Sequence, residues 1–331
     1  MVPPVTKINL EQIAKARRLF ARHFPVTRLQ IAPWVSRMAG VEVALKLEID
    51  QPTGSFKVRG ALYALAANLE RTTISEVVTA STGNHGAAVA YAASRLKVPC
   101  TVFLPDHPNP TKLARIIGLG AKVVEAGSDL SQAAALASAH ATRNGAYFLN
   151  DATDPDLPAG PATIACEVLE QRPETDAFVI PVGDTAFIRG IAAAVRHLRP
   201  EILVIGVQAT GAPAYYEAWK TGKPVTDYTP DTIADGLASQ IPDARNVTEI
   251  RELIDGFCLV SDDELLETML GLILEERVLS EPAGAAATAA LVQKKLKNVG
   301  KRPTAVVSGA NISPQLLHRL GSRVKRSASE Q

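Results

Sequence analysis

The sequence predicts an α/β protein made of two doubly wound, three-layer α/β domains. Short β-branched runs, nearly all apolar, alternate with alanine-rich segments of helical length along the chain. Such strands mark parallel sheets covered on both faces, because a solvated face would show polar residues at every second position. With 331 residues and 47% apolar content, the chain is long enough to build two cores.

The expected strands, in order, are Val43–Glu48, Glu76–Ala80, Cys100–Leu104, Lys122–Glu125, Ala146–Leu149, Ala177–Pro181, Leu203–Gln208 and Thr304–Ser308. Between them the helical expectations are Lys57–Asn68, His85–Leu96, Pro110–Leu119, Leu130–Arg143, Gly160–Gln171, Ile188–His197, Asp262–Glu276 and Ala283–Leu296. Right-handed crossovers place the strand C-termini on one edge, where ligands of open α/β sheets bind. The polar, basic end from Ser322 to Gln331 reads as a frayed tail.

Charge excludes some partners. Lysine plus arginine (35) balances aspartate plus glutamate (34), so no global field draws the chain to nucleic acid or to an anionic membrane. The three cysteines, Cys100, Cys166 and Cys258, show no CxxC spacing, which argues against disulfides and a structural zinc site. No apolar run reaches the roughly 20 residues of a membrane span, and the first residues lack a secretory h-region. The expectation is a cytoplasmic protein.

Four stretches carry chemistry. In Thr53-Gly-Ser-Phe-Lys57-Val-Arg-Gly-Ala61, a lysine falls at a helix start behind a turn. Lysine forms Schiff bases when burial or neighbouring positive charge destabilises its ammonium; alone, such a lysine is more often simply solvated. Thr79-Ala-Ser-Thr-Gly-Asn-His-Gly86 runs from a strand into a helix, which makes either an anion site or an ordinary N-cap. Pro181-Val-Gly183-Asp-Thr-Ala-Phe-Ile-Arg189-Gly190 is a second strand–turn–helix, and Ser308-Gly-Ala-Asn311 ends the last strong strand. None of these turns is specific by itself.

Together, and with Glu281-Pro-Ala-Gly-Ala285, the collinear set closely resembles the pyridoxal-phosphate enzymes of the tryptophan synthase β-subunit-like fold. Within that group it resembles the serine/threonine dehydratase and serine racemase family, from Pro25 to Asn311. The resemblance implies pyridoxal 5′-phosphate as cofactor, with Lys57 as its Schiff-base lysine. Phe56 is then the residue beside the ring, and Asn84 the partner of the 3′-oxygen. Gly183, Asp184, Thr185, Ala186 and Phe187 form the phosphate cradle, and Ser308 faces the pyridine nitrogen. Ser81, Thr82, Gly83, Asn84 and His85 receive the substrate carboxylate, with Gly236 and Glu281 near substrate and ring. Lys57, Ser81 and Thr82 are the catalytic candidates.

The implied reaction is loss of water from a β-hydroxy amino acid such as L-serine or L-threonine, giving a 2-oxo acid and ammonia. The substrate amine displaces Lys57, which then takes the α-proton. By the resemblance, the cofactor phosphate assists the departing hydroxyl. A serine hydroxyl at Ser308 does not keep the pyridine nitrogen protonated, so a long-lived carbanion is disfavoured and the β-substituent is expelled promptly. A smaller domain at 53–149, inserted into a larger one at 1–52 and 150–331, is expected to enclose the cofactor. A homodimer is expected from the resemblance alone.

Three departures qualify this reading. The usual G-G-G-G-L cradle is Gly183-Asp184-Thr185-Ala186-Phe187, and Asp184 would repel a dianion unless it points away or pairs with a cation, Arg189 being the nearest in sequence. The positions of a glutamate and an aspartate that hold a divalent cation in relatives appear as Gln208 and Ala214, so no metal is expected there. The second serine that racemases use as opposite-face acid/base is Thr82, whose methyl crowds that face. The chain ends soon after the motifs, so a C-terminal regulatory domain is not expected. The alternatives are a racemase, a β-replacement synthase of the same fold, or a non-catalytic cofactor-binding paralogue. His85 favours the dehydratase over the synthases, which carry threonine there, and intact Lys57, Asn84 and Ser308 argue against the paralogue. A dinucleotide-binding dehydrogenase is a weak rival, because no G-x-G-x-x-G follows a strand.

Overall fold

The structure, a computed structural model, describes residues 8–81, 83–106, 110–223, 225 and 228–329. The strands are β1 (Leu29–Ile31), β2 (Ala44–Leu47), β3 (Val77–Ala80), β4 (Cys100–Leu104), β5 (Lys122–Glu125), β6 (Tyr147–Phe148), β7 (Ala177–Pro181), β8 (Leu203–Ala209), β9 (Gly256–Val260) and β10 (Pro303–Val307). They form a six-stranded sheet in the order β1-β2-β10-β7-β8-β9 and a four-stranded sheet in the order β5-β4-β3-β6. Every pairing is parallel except β1 with β2.

Helices α1 (Leu10–Phe20) and α2 (Pro33–Ala39) come first. Helices α3 (Lys57–Arg71), α4 (Asn84–Leu96), α5 (Pro110–Gly118) and α6 (Leu130–Asn144) alternate with the strands of the smaller sheet. Helices α7 (Ala159–Gln171), α8 (Ala186–Leu198), α9 (Ala214–Thr221) and α10 (Ala244–Leu253) accompany β7 to β9. Helices α11 (Asp262–Leu274) and α12 (Pro282–Val292) lead into β10, and α13 (Pro314–Ser329) follows it. The expected frayed tail is therefore helical through Ser329, and Leu320 in that helix is buried.

The alternation of apolar strand and alanine-rich helix explains the layering. Strand β7 is buried at all five positions, between α8 on one face and α12 on the other. Small residues let the helices lie close: a Cβ on Gly160 of α7 would sit 2.4 Å from the Arg59 carbonyl of α3. One continuous core joins α3 and α4 to α7 and α8, so it runs beneath both sheets. A second core packs α11 and α12 against the far face of the large sheet, and a small one holds α6 against β3 and β4.

Arg59, two residues after the motif lysine, is wholly buried and anchors α3. Its Nε and Nη2 each donate to Glu48 at 2.8 Å, and Nη1 donates to Glu167 at 2.6 Å and to Thr163 at 2.9 Å. Lys46 of β2 donates to the same Glu167 at 2.6 Å. Burial opposes charge on Glu167, but Arg59 and Lys46 outweigh it and hold the carboxyl below its ordinary range. A buried charge persists only when so paired, and this network fixes where α3 begins.

Topology then sets the site. In the large sheet the chain moves outward from β7 to β8 and β9, while β10 lies on the opposite side of β7. In the small sheet it moves from β3 to β4 and β5, while β6 lies on the opposite side of β3. Each sheet therefore has a switch point, β7/β10 and β3/β6, at which the following loops part and leave a crevice.

Candidate active site

Lys57 is the first residue of α3, and its Nζ donates to the carboxylate of Asp151, in the loop after β6. Burial opposes a charge on this amine, yet the carboxylates of Asp151, Asp184 and Glu281 outweigh it and raise its pKa above the ordinary lysine value. Asp151 answers in kind: burial pushes its pKa up, while His85 and Lys57 pull it below the ordinary value. The other Asp151 oxygen lies 3.3 Å from His85 Nδ1. Asp151 comes from β6 and His85 from the turn after β3, so the switch point of the small sheet brings them together.

The turn of Ser81, Gly83, Asn84 and His85 follows β3. The Ser81 hydroxyl accepts from the Gly83 amide at 3.2 Å, and among the described residues no side chain caps the first turn of α4. Thr82 lies outside the described residues. Asn84 donates to Glu281 at 2.7 Å and accepts from Asn311 at 2.5 Å, which fixes its amide between the two sheets. Arg115 of α5 reaches the same corner, donating to Asn311 Oδ1 and, at 2.5 Å, to the Thr53 carbonyl.

Across the cleft, Gly183, Asp184, Thr185, Ala186 and Phe187 follow β7 and lead into α8. No side chain caps α8 either, and Thr185 at its start has φ +71°, a left-handed conformation costly for a β-branched residue. At Gly183 any side chain is excluded, because a Cβ would lie 2.2 Å from the Gly236 carbonyl. Ser308, at the end of β10, accepts the Phe56 amide at 3.0 Å, so the residue before Lys57 is tied to the large sheet. The rings of Phe56 and Phe187 stack with centroids 3.8 Å apart. Phe187 thus presents a ring to Phe56 from the turn after β7.

One cleft is lined by Phe56, Lys57, Asn84, Gly236, Glu281 and Ser308 together with the five residues of the turn after β7. Ser81 and His85 stand beside it rather than in its wall. Two expectations need correction or completion. Asp184 does not pair with Arg189: it accepts the Ser239 hydroxyl at 2.6 Å, while Arg189 is ion-paired with Glu249 at 2.9 Å. Asp151 was missed because it sits in no recognisable motif; its one sequence signal is its place just after a strand.

The donor set fits pyridoxal phosphate. It offers an amine at the cleft, two uncapped helix N-termini able to receive anions, a flat ring and a buried hydroxyl at the end of a strand. Burial and the nearby Asp151 raise the pKa of Asp184, so its carboxyl takes up a proton more readily and repels a dianion less. Over residues 20–309 the chain matches the family described as pyridoxal-phosphate dependent enzyme. The chain belongs to that family. Its relatives in the family include the L-threonine ammonia-lyase of Thermotoga maritima, 33% identical over 95% of this chain and 78% of that protein. The catabolic L-threonine dehydratase of Escherichia coli is 32% identical over 92% of this chain and 93% of that one. Among solved structures, maize serine racemase has a TM-score of 0.90 at 25% identity, covering 98% of this chain and 99% of its own. Threonine deaminase isoform 2 of Solanum lycopersicum has a TM-score of 0.86 at 29% identity, with coverages of 96% and 90%. As in this family generally, the cofactor is pyridoxal phosphate. Among the described residues no group of three or more His, Cys, Asp or Glu side chains is placed to hold a metal ion, and Gln208 instead accepts the Tyr216 amide at 3.0 Å. No described helix is long and apolar enough to cross a membrane.

Proposed function

We propose that the chain is a pyridoxal-phosphate-dependent ammonia-lyase that eliminates water from a β-hydroxy amino acid such as L-serine or L-threonine, leaving a 2-oxo acid and ammonia. The observation that carries this reading is the Lys57 amine, held on Asp151 at a cleft between two uncapped helix starts. Bound pyridoxal phosphate supplies an electron sink for the bonding pair released at the substrate's α-carbon.

The chain's own residues do the rest. The amides that open α4, with Ser81, Asn84 and His85, receive the substrate carboxylate, since free N–H groups and the helix dipole favour an anion there. The start of α8 holds the phosphate end, and Ser308 offers its hydroxyl to the ring nitrogen. Phe56 covers one face of the cleft and keeps water from it. Lys57 takes the α-proton as general base, and Asp151 favours the ammonium so formed, which makes Lys57 a stronger base. Thr82 belongs to the carboxylate turn in this reading. A cytoplasmic homodimer is part of the same proposal, with sedimentation as its check.

The test is direct. Purified protein with added cofactor receives L-serine or L-threonine, and 2-oxo acid and ammonia are measured for wild type and Lys57→Ala. Equal amounts of the two products, dependent on Lys57, support the reading. A Lys57-dependent Schiff-base absorption without either product moves the site to racemisation or β-replacement.

A further inference from the structure

The loop after β6 carries a group that the family resemblance does not assign. Asp151 bridges two partners: Lys57 Nζ on Oδ2 and His85 Nδ1 on Oδ1, the latter at 3.3 Å. His85 is buried, and its Nε2 lies 3.2 Å from the Leu149 carbonyl. A carbonyl only accepts, so Nε2 carries a hydrogen. Among the described residues Nδ1 has no hydrogen-bond partner, and it faces the Asp151 carboxylate at 3.3 Å. Two lone pairs facing each other in a buried site are repulsive, and one proton shared between Nδ1 and Oδ1 satisfies both. The pair therefore sets an imidazole and a carboxylate side by side, the two groups that a proton relay needs.

When Lys57 turns to the cofactor, Asp151 loses its cation. A half-buried carboxylate so released needs a new donor. The β-oxygen of a substrate stands two covalent bonds from its α-carbon, so a carboxylate in contact with the amine that takes the α-proton lies within reach of that oxygen. We propose that Asp151 and His85 are the acid of the elimination, returning to the departing β-hydroxyl the proton that Lys57 removes. The proposal rests on the lyase reading above and moves the acid's role from the cofactor phosphate to the protein.

The step balances without a further reactant. The α-carbon–hydrogen bond breaks, and its proton goes to Lys57. Its electron pair becomes the carbon–carbon double bond as the β-carbon–oxygen pair leaves on oxygen. The Asp151–His85 pair gives its proton to that oxygen, which departs as water, and recovers one from the Lys57 ammonium. Asp184 and Glu281 are the other charged groups that act on Lys57. Asp184 is already engaged with Ser239 and Glu281 with Asn84, which leaves Asp151 as the carboxylate in direct contact.

The experiment compares two substrates. L-Serine needs a proton on its leaving group; β-chloroalanine, which loses chloride, does not. Asp151→Asn and His85→Gln are loaded with pyridoxal phosphate, and the Schiff-base absorption reports how much of each is folded and loaded. The expected result for Asp151→Asn is a loss on the order of 10²–10⁴-fold with L-serine and less than about tenfold with β-chloroalanine. His85→Gln shows the same bias, with a smaller loss. A second readout needs no turnover: without its counter-ion Lys57 is neutral at lower pH, so the absorption grows in faster for Asp151→Asn than for wild type at neutral pH. Equal losses on both substrates would reduce Asp151 to a residue that positions Lys57, and no loss, or an unchanged loading rate, would also overturn the proposal. If wild type eliminates from neither substrate, the lyase reading itself has failed and this inference goes with it.

Discussion

The Asp184 carboxylate accepts the hydroxyl of Ser239 at 2.6 Å and leaves Arg189 to Glu249. The acidic side chain in the turn after β7 is thus restrained by a neutral donor and forms no ion pair with Arg189. Since burial and Asp151 raise its pKa, it is protonated over a wider pH range than an exposed aspartate and becomes a repelling anion above that range. Affinity for pyridoxamine phosphate, which forms no Schiff base, is therefore expected to fall as pH climbs through the Asp184 titration. Asp184→Asn removes that fall, with a difference on the order of tenfold at the alkaline end. Titration calorimetry of both proteins across pH checks it, the phosphate's own ionisation being common to the two.

Lys57 responds to pH in the opposite sense. Its pKa is raised, by carboxylates that outweigh burial, so its amine becomes nucleophilic only at higher pH than an ordinary lysine. The rate of Schiff-base formation in wild type is expected to keep rising through the usual lysine range instead of levelling within it. Stopped-flow absorbance against pH measures this, and Lys57→Ala shows no such absorption.

Gly183 is a steric constraint on the same turn. A Cβ there would stand 2.2 Å from the Gly236 carbonyl, and both partners are backbone, so no side-chain rotation relieves the clash. Gly183→Ala is expected to cost about 1–3 kcal/mol of stability and to weaken cofactor binding by displacing the turn at Asp235–Leu237. Urea unfolding and cofactor titration separate the two effects.

The buried network around Arg59 makes a stability prediction. Glu167→Gln removes one carboxylate from between Arg59 and Lys46, leaving buried positive charge uncompensated, at an expected cost of about 3–5 kcal/mol. The sign with pH follows from the depressed pKa of Glu167. Its contribution is complete above its unfolded-state pKa and is lost as pH falls through the lower folded-state value. The stability gap between wild type and variant should therefore close on acidification, as urea melts at several pH values would record.

Much of the fold was legible because local pattern and tertiary role coincide in parallel sheets. The runs Cys100–Leu104, Lys122–Glu125 and Ala177–Pro181 are strands at the expected boundaries; the first and last are buried at every position, while Lys122–Glu125 is a half-exposed edge of the small sheet. Where the local pattern was weak, the reading missed. Strand β9 is an edge strand with mostly half-buried positions and begins at a glycine. Helix α1 announces itself only through the capping box of Asn9 and Gln12 and through buried Ile13, Ala16 and Phe20, a spacing that alanine-rich stretches elsewhere overshadow. Helix α13 was not expected, and its end from Ser322 was read as a tail, because its many charges hide the apolar side that buries Leu320.

The sequence by itself determined the alternation of strand and helix, the order of the motifs and, through that order, the family and its cofactor. Those properties reside in consecutive residues, whose spacing fixes which backbone amides stand free at a helix start. Only the tertiary structure decided which side chains from distant strands meet. Asp151 touches Lys57 and His85 because β6 and β3 are neighbours at a switch point, although 94 and 66 residues of sequence separate these partners (151 − 57 and 151 − 85). Asp184 turned to Ser239 and not to the nearer-in-sequence Arg189 because Glu249, brought alongside by α10, already held that guanidinium. Charge pairing in a buried site is settled by distance in space, and sequence separation says little about that distance.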